Sequence, residues 1–302
     1  MRTAESMVSA LRTRGELWDV APGIVGLRGD ALALLRSLER EITVLAQREA
    51  PDEWASPPAL AMRTLEHADY FASFPFWLTA ASHLPDDESA LERIASDAEP
   101  VLAARAAAEC SDVALPPALC YHVFERLAGR RLATTQVVTL AGTCWRHEGT
   151  RLAALERQWA FTMREVVCVG AASEVEELRQ RAMRRAGALA SRLDLDAGFL
   201  VATDPFFAPT ARGKAIVQRV KALKHELALP IGDERSTAAA SFNNHEEFFG
   251  EAFGITLSDG QVASSGCVAF GLERWLLAFL VAHGADRAGW PSLDTTFAEA
   301  ES

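Results

Sequence analysis

Arg146-His147-Glu148 sets a guanidinium and a carboxylate two residues apart in a stretch that reads as extended chain. On a strand, residues so spaced share a face. Past a loop holding Arg151 and Arg157, a second extended stretch offers Phe161, Met163 and Glu165 on one face. An arginine can grip a phosphate, a glutamate can accept from an amino group, and a phenylalanine can stack on a base. Taken alone, the segment reads as readily as a surface ion pair beside a core phenylalanine. A third stretch, residues 265–274, reads as strand, glycine turn and helix, with Arg274 in the first turn of an otherwise apolar helix. A charge there is also what a solvated helix face provides.

The elements that must position these groups follow from periodicity. The first 110 residues read mainly as helix. Asp30 is expected to cap a segment with Leu34, Leu35, Leu38, Ile42 and Leu45 on one face. Helices are expected near 59–68, 88–98 and 101–109, with Pro100 as a break. Pro116 and Pro117 should start a short helix that carries Cys120 and ends at Gly129. Residues 134–142, 143–148 and 158–170 are β-branched and strand-like. Ser173 with Glu176 reads as a capping box opening a basic helix to about Arg192. A strand at 199–207, a helix at 214–229, strands at 236–242 and 261–269, and a helix at 272–283 closed by Gly284 complete the pattern. The expected fold is α+β with a largely antiparallel sheet. The C-terminal residues 297–302 are expected to fray.

Composition narrows the function. The 302 residues are 49% hydrophobic and 24% charged, a globular balance. No leader-like apolar stretch stands at the N-terminus, and residues 275–282 are far shorter than the roughly 20 that span a bilayer. A cytoplasmic location, with no membrane partner, is expected. Five cysteines, odd in number and without a close pair, read as reduced thiols. The formal charge of −11 disfavours a nucleic-acid partner.

Trp145-Arg146-His147-Glu148, Arg157-Gln158-Trp159-Ala160-Phe161 and Gly271-Leu272-Glu273-Arg274 together resemble motifs 2 and 3 of the class II aminoacyl-tRNA synthetases. Residues 115–283 are similar to the seryl branch. The closest resemblance is to the amino acid:carrier-protein ligases, which look like an archaeal-type seryl-tRNA synthetase core without a tRNA-binding domain. The resemblance implies one class II synthetase-like catalytic domain over 1–302: a mostly helical part to 110, then a core over 111–290, with an antiparallel sheet flanked by helices. It implies that Arg146 holds the α-phosphate of ATP, Glu148 reads the adenine amino group, Phe161 stacks on adenine and Arg274 holds the γ-phosphate. Arg157 and Glu226 join the ATP site. The family's Cys, Glu, Cys zinc ligands fall on Cys120, Glu165 and Cys267. Cys144, Cys168, His122 and His147 are rival ligands by residue type, and buried thiols are common in any core.

The implied reaction activates a small amino acid, glycine or alanine, as an adenylate, and passes it to the phosphopantetheine thiol of an acyl or peptidyl carrier protein. Mg2+ would accompany ATP. The segment 236–240 lacks the carboxylate that helps hold Mg2+ in seryl synthetases, leaving Glu226, Glu234 or Glu246 to substitute. Trp159, Met163 and Asn243, with Asn244 and His245, are expected to line the amino-acid pocket. Dimerisation is implied by the family, with Pro57 or Pro58 as its motif-1 proline. Two basic runs offer a carrier-docking patch: 179–192, and 212–224 with Lys214, Arg219 and Lys221, which is preferred because it leads into the active-site segment. The competing readings are a minimal tRNA-aminoacylating enzyme, and a non-catalytic subunit that binds an amino acid or regulates a partner.

Overall fold

Seven strands form one sheet in the computed structural model, which describes residues 2–50, 52–207 and 212–291. They are β1 (Asp52–Glu53), β2 (Gln136–Trp145), β3 (Ala160–Gly170), β4 (Gly198–Val201), β5 (Lys224–Gly232), β6 (Arg235–Glu246) and β7 (Ser264–Gly271). Their order across the sheet is β4-β5-β6-β7-β3-β2-β1. Every neighbouring pair is antiparallel except β1 with β2. The expected α+β architecture, a synthetase-like antiparallel sheet flanked by helices, is the one observed.

Two cores lie on opposite faces. Val166, Cys168, Phe242, Val268 and Phe270 pack against α1 (Gly29–Glu49), α3 (Ala172–Arg192) and α6 (Leu272–His283). Met163, Val167, Val169, Leu140 and Cys267 point the other way, toward α2 (Cys120–Leu127) and α5 (Phe248–Phe253). Strand alternation therefore assigns Glu165 and Cys267 to the second face. Between α3 and α5, α4 (Arg212–Val220) precedes β5.

Several local expectations are corrected. The first 110 residues also hold a hairpin, Leu17–Ala21 with Ile24–Leu27, and a three-stranded sheet of Leu60–Ala61, Thr79–His83 and Glu109–Leu115. Asp30 lies inside the first turn of α1 and caps nothing; Glu16 Oε2 accepts from Ala31 N at 2.9 Å instead. Pro100 opens the helix Pro100–Ala107, where its missing N–H costs nothing. Ser173 makes no cap, because α3 already begins at Ala172 with Ala171 as its N-cap, and Glu176 pairs with Arg179 and Asn244. The helix expected over 214–229 stops at Val220. Leu227, Leu229 and Ile231 alternate at strand spacing, so 224–232 is β5. The strand expected over 143–148 ends at Trp145, and the C-terminal 297–302 lie outside the described residues.

The basic run 179–192 is largely consumed inside the fold. Arg181 Nε and Arg185 Nη1 reach Glu49 at 3.1 and 2.5 Å, and Arg192 pairs with Glu41. Arg179 binds Glu176 and the Ala222 carbonyl. The Glu49 side chain is only 2% exposed, so removing it strands two cations at the α1–α3 seam. Glu49→Ala should cost roughly 2 kcal/mol in urea unfolding, while Glu177→Ala, on the exposed side of α3, should cost well under 1 kcal/mol.

Candidate active site

The site is built around a carboxylate on β3. Glu165 is 1% exposed, and its Oε1 and Oε2 accept from the main-chain N–H groups of Leu119 (2.9 Å) and Cys120 (3.0 Å) at the start of α2. Gly142, across β2, leaves room for this approach: a Cβ there would lie 3.3 Å from Leu119 Cδ2. Cys267 lies on the neighbouring β7, where Ala269 pairs with Glu165 and Cys267 with Val167. One ligating atom each from Cys120, Glu165 and Cys267 lies within 4.8 Å of the others, and all three residues are buried. No other such group occurs among the described residues.

The rival ligands are elsewhere or inert. Cys144 and Cys168 are fully buried, and burial pushes the Cys168 thiol up to about 12 and Cys144 well above its usual value. Cys168 faces the opposite core. The His147 ring packs edge-on against Trp159, and His122 Nε2 is buried without a partner. The neighbouring Cys267 and burial push the Cys120 thiol well up, while Cys120, His245 and Asn243 pull the Cys267 thiol well down. Burial, then the neighbouring Cys267, pushes the Glu165 carboxyl up to about 7 against the two N–H donors and Arg146.

A cleft of about 460 Å3 opens over this trio, a volume suited to a small ligand. Arg146, Glu148, Arg157, Glu226, Asn243 and Arg274 are in its walls. Arg146 and Glu148 reach it from the turn after β2 rather than from alternating strand positions, since the chain bends away to Gly149 at φ +63°. Arg146 Nε donates to the Pro117 carbonyl at 2.8 Å, and its guanidinium carbon lies 5.0 Å from the Trp77 ring and 5.4 Å from the Phe161 ring. Glu148 Oε2 is 3.2 Å from Arg157 Nη1. Arg274 donates to the carbonyls of Glu156 (2.8 Å) and Ala238 (2.9 Å), and burial followed by Arg146 and Arg157 lowers its pKa. Phe161 and Met163 line a smaller inner chamber with Glu226 and Glu273.

Other expected residues are placed differently. Trp159 is not among the cleft walls; its indole donates to Thr79 Oγ1 at 2.9 Å and packs on Trp145 and His147. Of the substitute magnesium carboxylates, Glu226 is in the cleft but 3.2 Å from Lys224 Nζ. Glu246 pairs with Lys221 and Glu234 sits in the β5–β6 turn. In the second basic run, Lys214 pairs with Asp69 at 2.6 Å over the Phe248 ring, while Arg219 is exposed. Lys224 is no surface charge: it is held by Asp204 at 2.6 Å inside the cleft. Pairs such as Lys224–Asp204, and the Glu273 carboxylate that accepts from Thr162 N with both oxygens, were missed by sequence reasoning. The period-two apolar pattern after Lys224 was the signal for the first.

Beneath α4 a second cavity of about 300 Å3, mostly apolar, meets the cleft at Phe74, Tyr121, Asp204, His245 and Phe249.

No protein-family profile matches the chain. It is 35% identical over 266 residues to amino acid–acyl-carrier-protein ligase 1 of Bradyrhizobium diazoefficiens, covering 86% of this chain and 81% of that protein. Ligase 2 of the same organism is 33% identical over 274 residues, or 89% and 81%. Type-2 serine–tRNA ligase of Methanococcus aeolicus is 31% identical over 187 residues, 59% of this chain and 36% of that enzyme. Among solved structures, M. kandleri SerRS in complex with A. aeolicus tRNASec superposes with a TM-score of 0.85 at 19% identity, over 97% of this chain and 60% of that one. Cytoplasmic serine–tRNA ligase of Naegleria fowleri, in complex with AMP, gives 0.73 at 13% identity, over 97% and 58%. The chain thus spans about three fifths of those solved chains, and they show a shared class II synthetase catalytic fold.

The raised Glu165 pKa makes a prediction for chelator-treated protein. The folded carboxyl keeps its proton to a higher pH than the unfolded one. Its contribution is therefore fully present below 4.5 and is lost as pH rises to about 7. Glu165→Gln should remove that part of the decline in urea midpoint; equal slopes in the two proteins would contradict the assignment.

Proposed function

This chain belongs to the amino acid–acyl-carrier-protein ligases, and on that premise we propose that it activates a small amino acid as its adenylate and transfers the acyl group to a carrier's phosphopantetheine thiol. The observation that carries the reading is the Cys120, Glu165 and Cys267 trio on the floor of a cleft walled by Arg146 and Arg274. Two thiols and one carboxylate, buried and mutually close, fit a zinc ion with one position open. When bound, that zinc would hold the free α-amine of the substrate and so select for amines.

The protein's own groups do the rest by placement. Arg146, fixed by the Pro117 carbonyl, faces the α-phosphate, and Arg274, fixed by two carbonyls, faces the γ-phosphate. Phe161 stacks on adenine and Glu148 accepts from its amino group, with Arg157 beside it. The substrate carboxylate attacks the α-phosphorus and pyrophosphate leaves; this nucleophile is already ionised, so proximity and charge stabilisation suffice. The carrier thiol, as thiolate, then attacks the acyl carbon and AMP leaves. Mg2+ accompanies the phosphates. Glycine or alanine suits the confined part of the cleft where Asn243 stands beside Cys267.

The cavity beneath α4 suits a slender pantetheine arm, and α4 presents Arg219 with exposed Ile216 and Val220 to a small acidic carrier. The net charge of −11 argues against tRNA as the acceptor. One catalytic domain and a homodimer complete the proposal. No helix among the described residues is long and apolar enough to cross a membrane.

Intact-mass measurement of a phosphopantetheinylated carrier incubated with ATP, amino acid and this protein tests the reading directly. Acyl addition is expected, and Arg274→Ala should abolish it. Arg219→Glu with Lys221→Glu should reduce carrier loading at least roughly tenfold, the scale of a lost charged contact, without changing amino-acid-dependent pyrophosphate exchange. Loss of both activities together, or of neither, would remove α4 as the docking element.

A further inference from the structure

His245 faces the trio from a place the metal reading does not require. It lies near the end of β6, where the pairing slips: Asn244 opposes Gly266, yet Glu246 opposes Ser265. The slip leaves His245 as the extra residue of a bulge, and Glu246 takes a φ of +52° to accommodate it. A non-glycine residue in that region is strained, and such strain persists where surrounding contacts fix it. The imidazole is held edge-on by Phe249 (4.8 Å between centroids, 90°) and Phe124 (6.0 Å, 81°), which stack on each other.

Both ring nitrogens have partners. Nε2 is 3.6 Å from Cys267 Sγ, and Nδ1 is 3.1 Å from Oγ of the fully buried Ser265. A neutral imidazole donates from one nitrogen and accepts at the other. A cysteine that ligates zinc does so as its thiolate and can only accept, so in the zinc-bound site Nε2 carries the proton and the Ser265 hydroxyl donates to Nδ1. Asn243 Nδ2, at 3.5 Å, adds a second N–H to the same sulfur.

We infer that His245, oriented by Ser265, is a positioning residue that donates a hydrogen bond to the Cys267 sulfur and thereby sets the strength and direction of its metal bond. The inference rests on the zinc reading above. Hydrogen bonds to a ligating sulfur hold its lone pairs in place and draw off charge, and loss of such outer partners typically weakens metal affinity 10- to 100-fold. His245→Phe keeps the aromatic packing and removes the donor. His245→Gln offers an amide N–H at a similar reach, and Ser265→Ala removes only the hydroxyl that fixes the tautomer.

The experiment titrates zinc into the full chain against a chromophoric chelator and records the sulfur-to-metal charge-transfer band of the cobalt-substituted protein. His245→Phe should bind zinc roughly 10- to 100-fold more weakly and shift the band. His245→Gln should stay within a few-fold of wild type with little shift, and Ser265→Ala should fall between them. Wild-type affinity and an unshifted band in His245→Phe overturn the inference and leave the zinc reading standing. Equal weakening in Phe and Gln assigns His245 to packing alone and also overturns it. A wild-type chain that binds no zinc overturns both. If His245→Phe fails to fold, Ser265→Ala decides: unchanged affinity and spectrum overturn the inference.

Discussion

The Glu165 carboxylate, buried on β3 and accepting from the main-chain N–H groups of Leu119, the N-cap of α2, and Cys120, its first residue, is the contact on which the site depends. α2 has eight residues, too few to be stable alone, and its leading N–H groups would be orphaned without an acceptor. A carboxylate at a helix N-terminus satisfies them and meets the positive end of the dipole. Val123, Phe124 and Leu127 then bury the helix against the sheet. The same bond fixes Cys120, the first residue of α2, above Cys267 on β7. A single buried acid thus fastens a helix to a sheet and gathers the donor set. Its raised pKa reflects that confinement, with burial as the chief cause.

Around this floor the cleft is organised by cations tied to main-chain carbonyls. Arg146 and Arg274 spend three hydrogen bonds on the carbonyls of Pro117, Glu156 and Ala238, so their guanidiniums are oriented before any ligand arrives. They also repel each other, which contributes to the lowered Arg274 pKa. The polyphosphate of the proposed reaction would relieve that repulsion without reorganising the walls, the arrangement expected where negative charge is to be stabilised. Lys224, balanced between Asp204 and Glu226, ties β5 to the loop before α4. It thereby links the inner chamber to the element proposed to meet the carrier.

How much of this was legible in the sequence depended on whether local pattern or distant partners decided the outcome. α6 could be read to the residue, because an unbroken apolar run followed by Gly284 has few alternatives. The face of β3 bearing Phe161, Met163 and Glu165 followed from alternation. The trio did not: no spacing rule joins Cys120, Glu165 and Cys267, and only the family likeness pointed to them. Asp30 and Ser173 looked like caps, yet Glu16 took the Ala31 N–H and Glu176 was drawn to Asn244 on β6. Lys224 looked like part of a basic surface because its acidic partner Asp204 lies on a separate loop. Trp159 looked like a pocket wall, but a hydroxyl on Thr79 drew its indole away. In each case a tertiary partner outweighed a local preference.

The central claim is that one buried trio recognises the amine of a substrate whose carboxylate is activated directly above it. The most direct measurement is ATP–pyrophosphate exchange driven by a small α-amino acid, compared with the hydroxy acid of the same skeleton, with zinc counted on the same sample. Exchange with the amino acid alone, on protein carrying about one zinc per chain, is the predicted result. Equal exchange with the hydroxy acid, or exchange by protein without zinc, would contradict it.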